Sequence, residues 1–132
     1  MMTRKAAVKP DISLTACAYR RMLEIISNKW AVLVIYALED GTKRYGEVRH
    51  RISGISQKML TQTLRQLERD GFVTREVHPS VPPFVEYTLT PLAHTLLPHL
   101  HQMKQWSNKH YALVEQARNE YDSKNDQLPL SE

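Results

Sequence analysis

Apolar residues recur at helical spacing through the first half of this 132-residue chain and change to strict alternation after residue 72. Met22, Leu23, Ile25 and Ile26 predict a first helix running from a Thr15 cap to about Ile26. Ser27-Asn28 interrupts that pattern. The nearly all-apolar run that follows, Lys29 to Glu39, predicts a central buried helix stopped by Asp40-Gly41. Tyr45, Val48 and Ile52 share one face of a short third helix, Tyr45 to Ile52, and Ser53-Gly54-Ile55 makes a tight turn. Ser56 caps a fourth helix that runs to Asp70 and stops at Gly71, with Leu60, Leu64 and Leu67 as its buried stripe.

Beyond this point Val73, Val77, Val85, Tyr87 and Leu89 alternate with polar residues, which predicts a two-stranded hairpin with one buried face. Its connection, His78 to Pro83, holds three prolines and cannot pair as strand. Thr90-Pro91 opens a last, long helix carrying Leu92, Leu96, Leu97, Leu100, Met103 and Trp106, with a kink expected at Pro98. The predicted fold is therefore mainly α with a small β-hairpin, an α+β arrangement of the winged helix-turn-helix type. A flexible arm is expected over 1–14 and the winged domain over 15–122, with dimerisation helices at about 15–26 and 91–122. A frayed tail is expected over 123–132.

Two short helices joined by a glycine-containing turn and followed at once by a hairpin point to DNA. On the fourth helix Ser56, Gln57, Lys58, Thr61, Gln62 and Arg65 offer donors and acceptors to base edges and phosphates, and no carboxylate interrupts them before Glu68. Lys43 and Arg44 ahead of the third helix, and Arg75 and His78 on the hairpin, complete the set expected to meet double-stranded DNA. The charge distribution agrees. Eight Lys and Arg stand against four Asp and Glu between Thr42 and Ser80, a balance of +4, whereas Val114 to Glu132 carries −3.

Two rival readings exist. A winged helix can serve as a protein-interaction module, which the basic face argues against. A small metal-dependent enzyme could be built on His94, His99, His101 and His110, but no carboxylate or cysteine accompanies them, although His94 and His101 could share a helix face. No phosphate-binding glycine loop, paired carboxylates or nucleophile elbow is present, so neither catalysis nor a cofactor nor a metal is expected. The longest apolar run, Trp30 to Leu38, is too short to span a bilayer, and no secretory signal is visible. The single cysteine, Cys17, suits a reducing cytoplasm.

The chain resembles the HxlR family of bacterial regulators, a branch of the MarR-like winged-helix proteins. The resemblance rests on Lys29-Trp30, the runs Gly54 to Thr61 and Leu64 to Val73, Val81-Pro82-Pro83, and Val85 to Thr90. It implies a homodimer in which the first and last helices pair across a two-fold axis. The long helix carries more apolar length (Leu96, Leu100, Met103, Trp106) than a compact core can cover, which places those residues at the expected interface. The resemblance also implies that the fourth helix reads the major groove while the wing reaches the minor groove or phosphates. The expected function is that of a repressor on an inverted-repeat operator, whose half-sites follow the two-fold axis. The family often has a basic residue where this chain has Phe84. Many relatives carry a cysteine near the first helix that senses oxidants or electrophiles. With Thr15 as cap, Cys17 would lie in the first helical turn near Arg20 and Arg21, a setting that favours the thiolate. An inert, packed thiol is the alternative.

Overall fold

The structure, a computed structural model, describes residues 17–127. Its elements run α1 (Ala18–Ile26), α2 (Lys29–Ala37), β1 (Lys43–Arg44), α3 (Tyr45–Arg51), α4 (Gln57–Arg69), β2 (Val73–His78), β3 (Phe84–Leu89) and α5 (Pro91–Gln127). The chain divides after Ala93 into two units. Among the described residues, no helix is long and apolar enough to cross a membrane.

The first unit is the winged helix. Asn28 caps α2, its Oδ1 accepting from the Trp30 amide at 3.0 Å. Val34, Ile35 and Leu38 are essentially fully buried, while Leu33 is exposed, so this helix is central without being covered all round. From α4, Leu60, Leu64 and Leu67 enter the same core. Each contributes about 1.5–3 kcal/mol from burial. The expected stripe and the expected turn both stand: Gly54 adopts φ +82°, and the Ser56 side chain accepts from the Met59 amide at 3.0 Å.

The end of α4 is tied to the sheet. Gly71, at φ +85°, reverses the chain. The Thr90 hydroxyl donates to the Gly71 carbonyl at 2.6 Å, and the Thr90 amide donates to Phe72 at 3.0 Å. The end of α4 and the hairpin are therefore joined at one corner.

The expected hairpin is present as β2 and β3, and the sheet adds a strand to it. The sheet has three antiparallel strands in the order β1-β3-β2, with Lys43 opposite Tyr87 and Arg44 opposite Glu86. A two-residue strand has no apolar alternation of its own and exists only because β3 offers it an edge. Val73, Tyr87 and Leu89 are buried as expected, but Val77 is 51% exposed, because the wing projects beyond the core that covers its base.

The second unit is helical as far as it is described. α5 continues through Pro98 and on to Gln127, so residues 123–127 are helical where a frayed tail was expected. Residues 128–132, and the expected N-terminal arm with Thr15, lie outside the described residues.

Candidate nucleic-acid interface

The polar face of α4 follows from its stripe. With Leu60, Leu64 and Leu67 turned inward, Gln57, Lys58, Gln62 and Arg65 are exposed, and Ser56 stands at the helix N-terminus. Thr61 is half-buried because its hydroxyl lies 3.0 Å from the Tyr45 hydroxyl. That phenol also lies 3.0 Å from the Gln57 carbonyl, to which it donates. Tyr45 thus clips α3 to the first turns of α4, a role hidden at sequence level behind its place on an apolar stripe.

Tyr45→Phe removes the clip and keeps the ring. Its expected cost is about 0.5–1.5 kcal/mol of stability, the usual worth of such a bond. A thermal melt in which the variant matches the parent would show that the clip carries no weight.

The remaining sequence-predicted contacts divide by sheet face. Arg75 is opposite Tyr87 in the register and lines a cleft with Arg65, Tyr45, Thr61 and Glu68, so it joins the α4 surface. Lys43 does not. Its ammonium pairs with Asp40, and its side chain is only 13% exposed. Arg51 reaches the other Asp40 oxygen at 3.3 Å. Hydrogen bonds from Lys43 and then Arg51 hold the Asp40 carboxyl below its ordinary range. The charge of Lys43, expected to meet DNA, is matched in this structure by a carboxylate three residues away.

Arg44 and His78 occupy the opposite, outer face of the sheet. The Arg44 guanidinium stacks on Phe84 at 3.8 Å from the ring centroid, so the aromatic residue at this position makes a platform for a cation. His78 stacks on Phe84 at 4.5 Å and stands beside Glu76 and Glu86. The C-terminal histidines do not gather in this way: among the described residues, the group that could hold a metal is Glu76, His78 and Glu86.

Cys17 is half-exposed. Its backbone is extended (φ −66°, ψ 122°), so it is the N-cap of α1 rather than a residue of the first turn, and its carbonyl accepts the first helical bond, from Arg21 at 3.2 Å. No residue of α1 is buried, and Tyr19 and Leu23 are exposed. On α5, Met103 is 63% and Trp106 54% exposed, and the Trp106 ring stacks on His110 at 4.9 Å. Tyr111, Leu113 and Tyr121 are exposed as well. Leu100, expected on this uncovered face, is instead buried, and Leu96 is half-buried.

The model of the HxlR-like helix-turn-helix family matches residues 25–115. The chain belongs to that family. It is 42% identical over 90 residues to the HTH-type transcriptional regulator YtfH of Escherichia coli K12, covering 68% of this chain and 71% of that one. Among solved structures, the redox regulator HypR in its reduced form superposes with a TM-score of 0.70 at 42% identity, covering 76% of this chain and 99% of the other. The reduced form of the transcriptional regulator YodB of Bacillus subtilis gives 0.65 at 35% identity, covering 70% and 92%. The chain is accordingly a winged helix-turn-helix transcription regulator, and its relatives are regulators rather than enzymes.

Proposed function

We propose that this protein is a homodimeric repressor that binds an inverted-repeat operator, one α4 to each half-site, and that modification of Cys17 switches it. The observation that carries the DNA reading is the exposed polar face formed by Gln57, Lys58, Gln62 and Arg65, with no carboxylate before Glu68. Arg75 extends it across the cleft toward the wing. Gln and Arg read base edges bidentately, and Lys and Arg neutralise phosphates. Such a regulator works in the cytoplasm, where the DNA is.

Two apolar surfaces support the dimer. α1 buries none of its residues, and α5 leaves Met103, Trp106, Tyr111 and Leu113 uncovered. Uncovered apolar area of this kind marks an interface, and an isologous one suits a palindromic site.

The thiol switch draws on two observations. Cys17 is the one cysteine of the chain, partly accessible at the start of a helix that has no buried residue. HypR, among the structural neighbours, is a redox regulator known in an oxidised and a reduced form. An oxidant or electrophile that adds to Cys17, or joins two Cys17 across the dimer, changes how the paired helices meet and hence the spacing of the two reading heads.

The test is a gel shift on DNA upstream of the protein's own gene, with unrelated competitor DNA, before and after mild diamide. Specific binding is expected from the reduced protein, altered by diamide and restored by thiol. Cys17→Ser should bind like the reduced parent and ignore diamide. Equal binding to competitor overturns the operator reading; equal diamide response in Cys17→Ser overturns the switch.

A further inference from the structure

We propose that the outer face of the wing is a binding site for one divalent first-row transition ion, with Zn²⁺ the best fit, held by Glu76, His78 and Glu86. The sheet register builds it. Glu76 lies directly opposite Glu86, and His78 is two residues further along β2, on the same face. One ligand atom from each lies within 4.8 Å of the others. His78 Nε2 is 2.7 Å from Glu86 Oε1 and 3.9 Å from Glu76 Oε1.

Two features of the cluster call for a cation. Carboxylates directly opposite on paired strands repel. The cation in their row, Arg44 opposite Glu86, is stacked on Phe84 and makes no ion pair with either of them. The second feature is His78 Nε2 itself. It is buried and lies 2.7 Å from Glu86 Oε1, an ion pair when the ring is protonated, yet it makes no aligned hydrogen bond and so leaves a lone pair open to a metal when neutral. Stacking of the His78 ring on Phe84, 14° from parallel, holds it in that orientation.

The chemistry of the set narrows the ion. One imidazole and two carboxylates, with no thiolate, suit Zn²⁺ and its first-row neighbours. Bonds of about 2.0–2.2 Å in a tetrahedron place ligand atoms roughly 3.3 Å apart. The observed spacings bracket that value, and Glu76, 75% exposed, has room to swing inward. Three protein ligands leave the fourth position to water. The bound ion cancels the charge of two carboxylates on the wing. On the DNA-binding reading given above, on which this consequence rests, it removes their repulsion of phosphates and raises affinity for DNA.

The test titrates the full-length protein with ZnCl₂ alone, without DNA, against a chromophoric chelator. Wild type should take up one ion per chain. His78→Gln and Glu86→Gln should each weaken uptake by more than about a hundredfold, beyond what loss of an outer partner of a metal ligand costs. His101→Gln, on α5, should leave it unchanged. Thermal melts confirm that each variant is folded. No uptake, or equal uptake in wild type and His78→Gln, overturns the site. A parallel gel shift with and without zinc separates the two readings. If DNA is bound without zinc but zinc changes nothing, the site stands and its coupling to DNA is overturned. If DNA is never bound, the operator reading fails while the titration still judges the site.

Discussion

Replacing Met103 and Trp106 together by glutamate will convert the protein to a monomer and lower operator affinity by about 10²–10⁴-fold, the usual gain from linking two binding heads. Both side chains are more than half exposed, so the exchange should leave the folded chain intact. In the proposed dimer they are covered, and four glutamates brought into an apolar interface meet like charge and lose hydration. Each head then binds its half-site alone. Sedimentation at micromolar concentration reads the oligomeric state, circular dichroism reads the fold, and a gel shift reads the affinity. A double variant that still sediments as a dimer would place the interface elsewhere.

Lys58→Ala and Arg65→Ala have the next largest expected effect, about 1–3 kcal/mol of specific binding each where the side chain reaches a base. The two kinds of contact leave different signatures. Loss of a base contact reduces discrimination between operator and altered operator. Loss of a phosphate contact weakens all sequences alike and lowers the salt slope by about one. Arg65 lies in the cleft shared with Arg75, so the cleft couples α4 to the wing, and Arg75→Ala should resemble the phosphate case. Fluorescence anisotropy on operator and scrambled duplexes, each over a range of salt, distinguishes them. If neither Lys58→Ala nor Arg65→Ala changes affinity for either duplex, α4 is not the reading helix.

Much of the reading head was legible without coordinates, because local rules governed it. Spacings of four and three among Leu60, Leu64 and Leu67 left α4 one way to face, and that choice turned Gln57, Lys58, Gln62 and Arg65 outward. Gly54, Ser56 and Gly71 announced the turn, the cap and the stop by chemistry that needs no distant partner. The pairing of Lys43 with Asp40 was not legible, because the two charges meet only through the fold of the turn before β1. Cys17 moved from first turn to N-cap because helix starts depend on a single backbone angle.

By itself, then, the sequence determined the helices, the turn, the hairpin and the polarity of α4. These depend on periodicity and on residues whose preferences act within one turn of chain. Tertiary structure decided everything that depends on strand register. It made β1 a strand by offering it the edge of β3, and it divided the wing residues into an inner face with Arg75 and an outer face with Arg44, Glu76, His78 and Glu86. It also decided that Val77 and Trp106 remain exposed while Leu100 is covered. The physical reason is the same in each case: pairing and burial join residues far apart in the chain, and no pattern of neighbours encodes which partner they will meet.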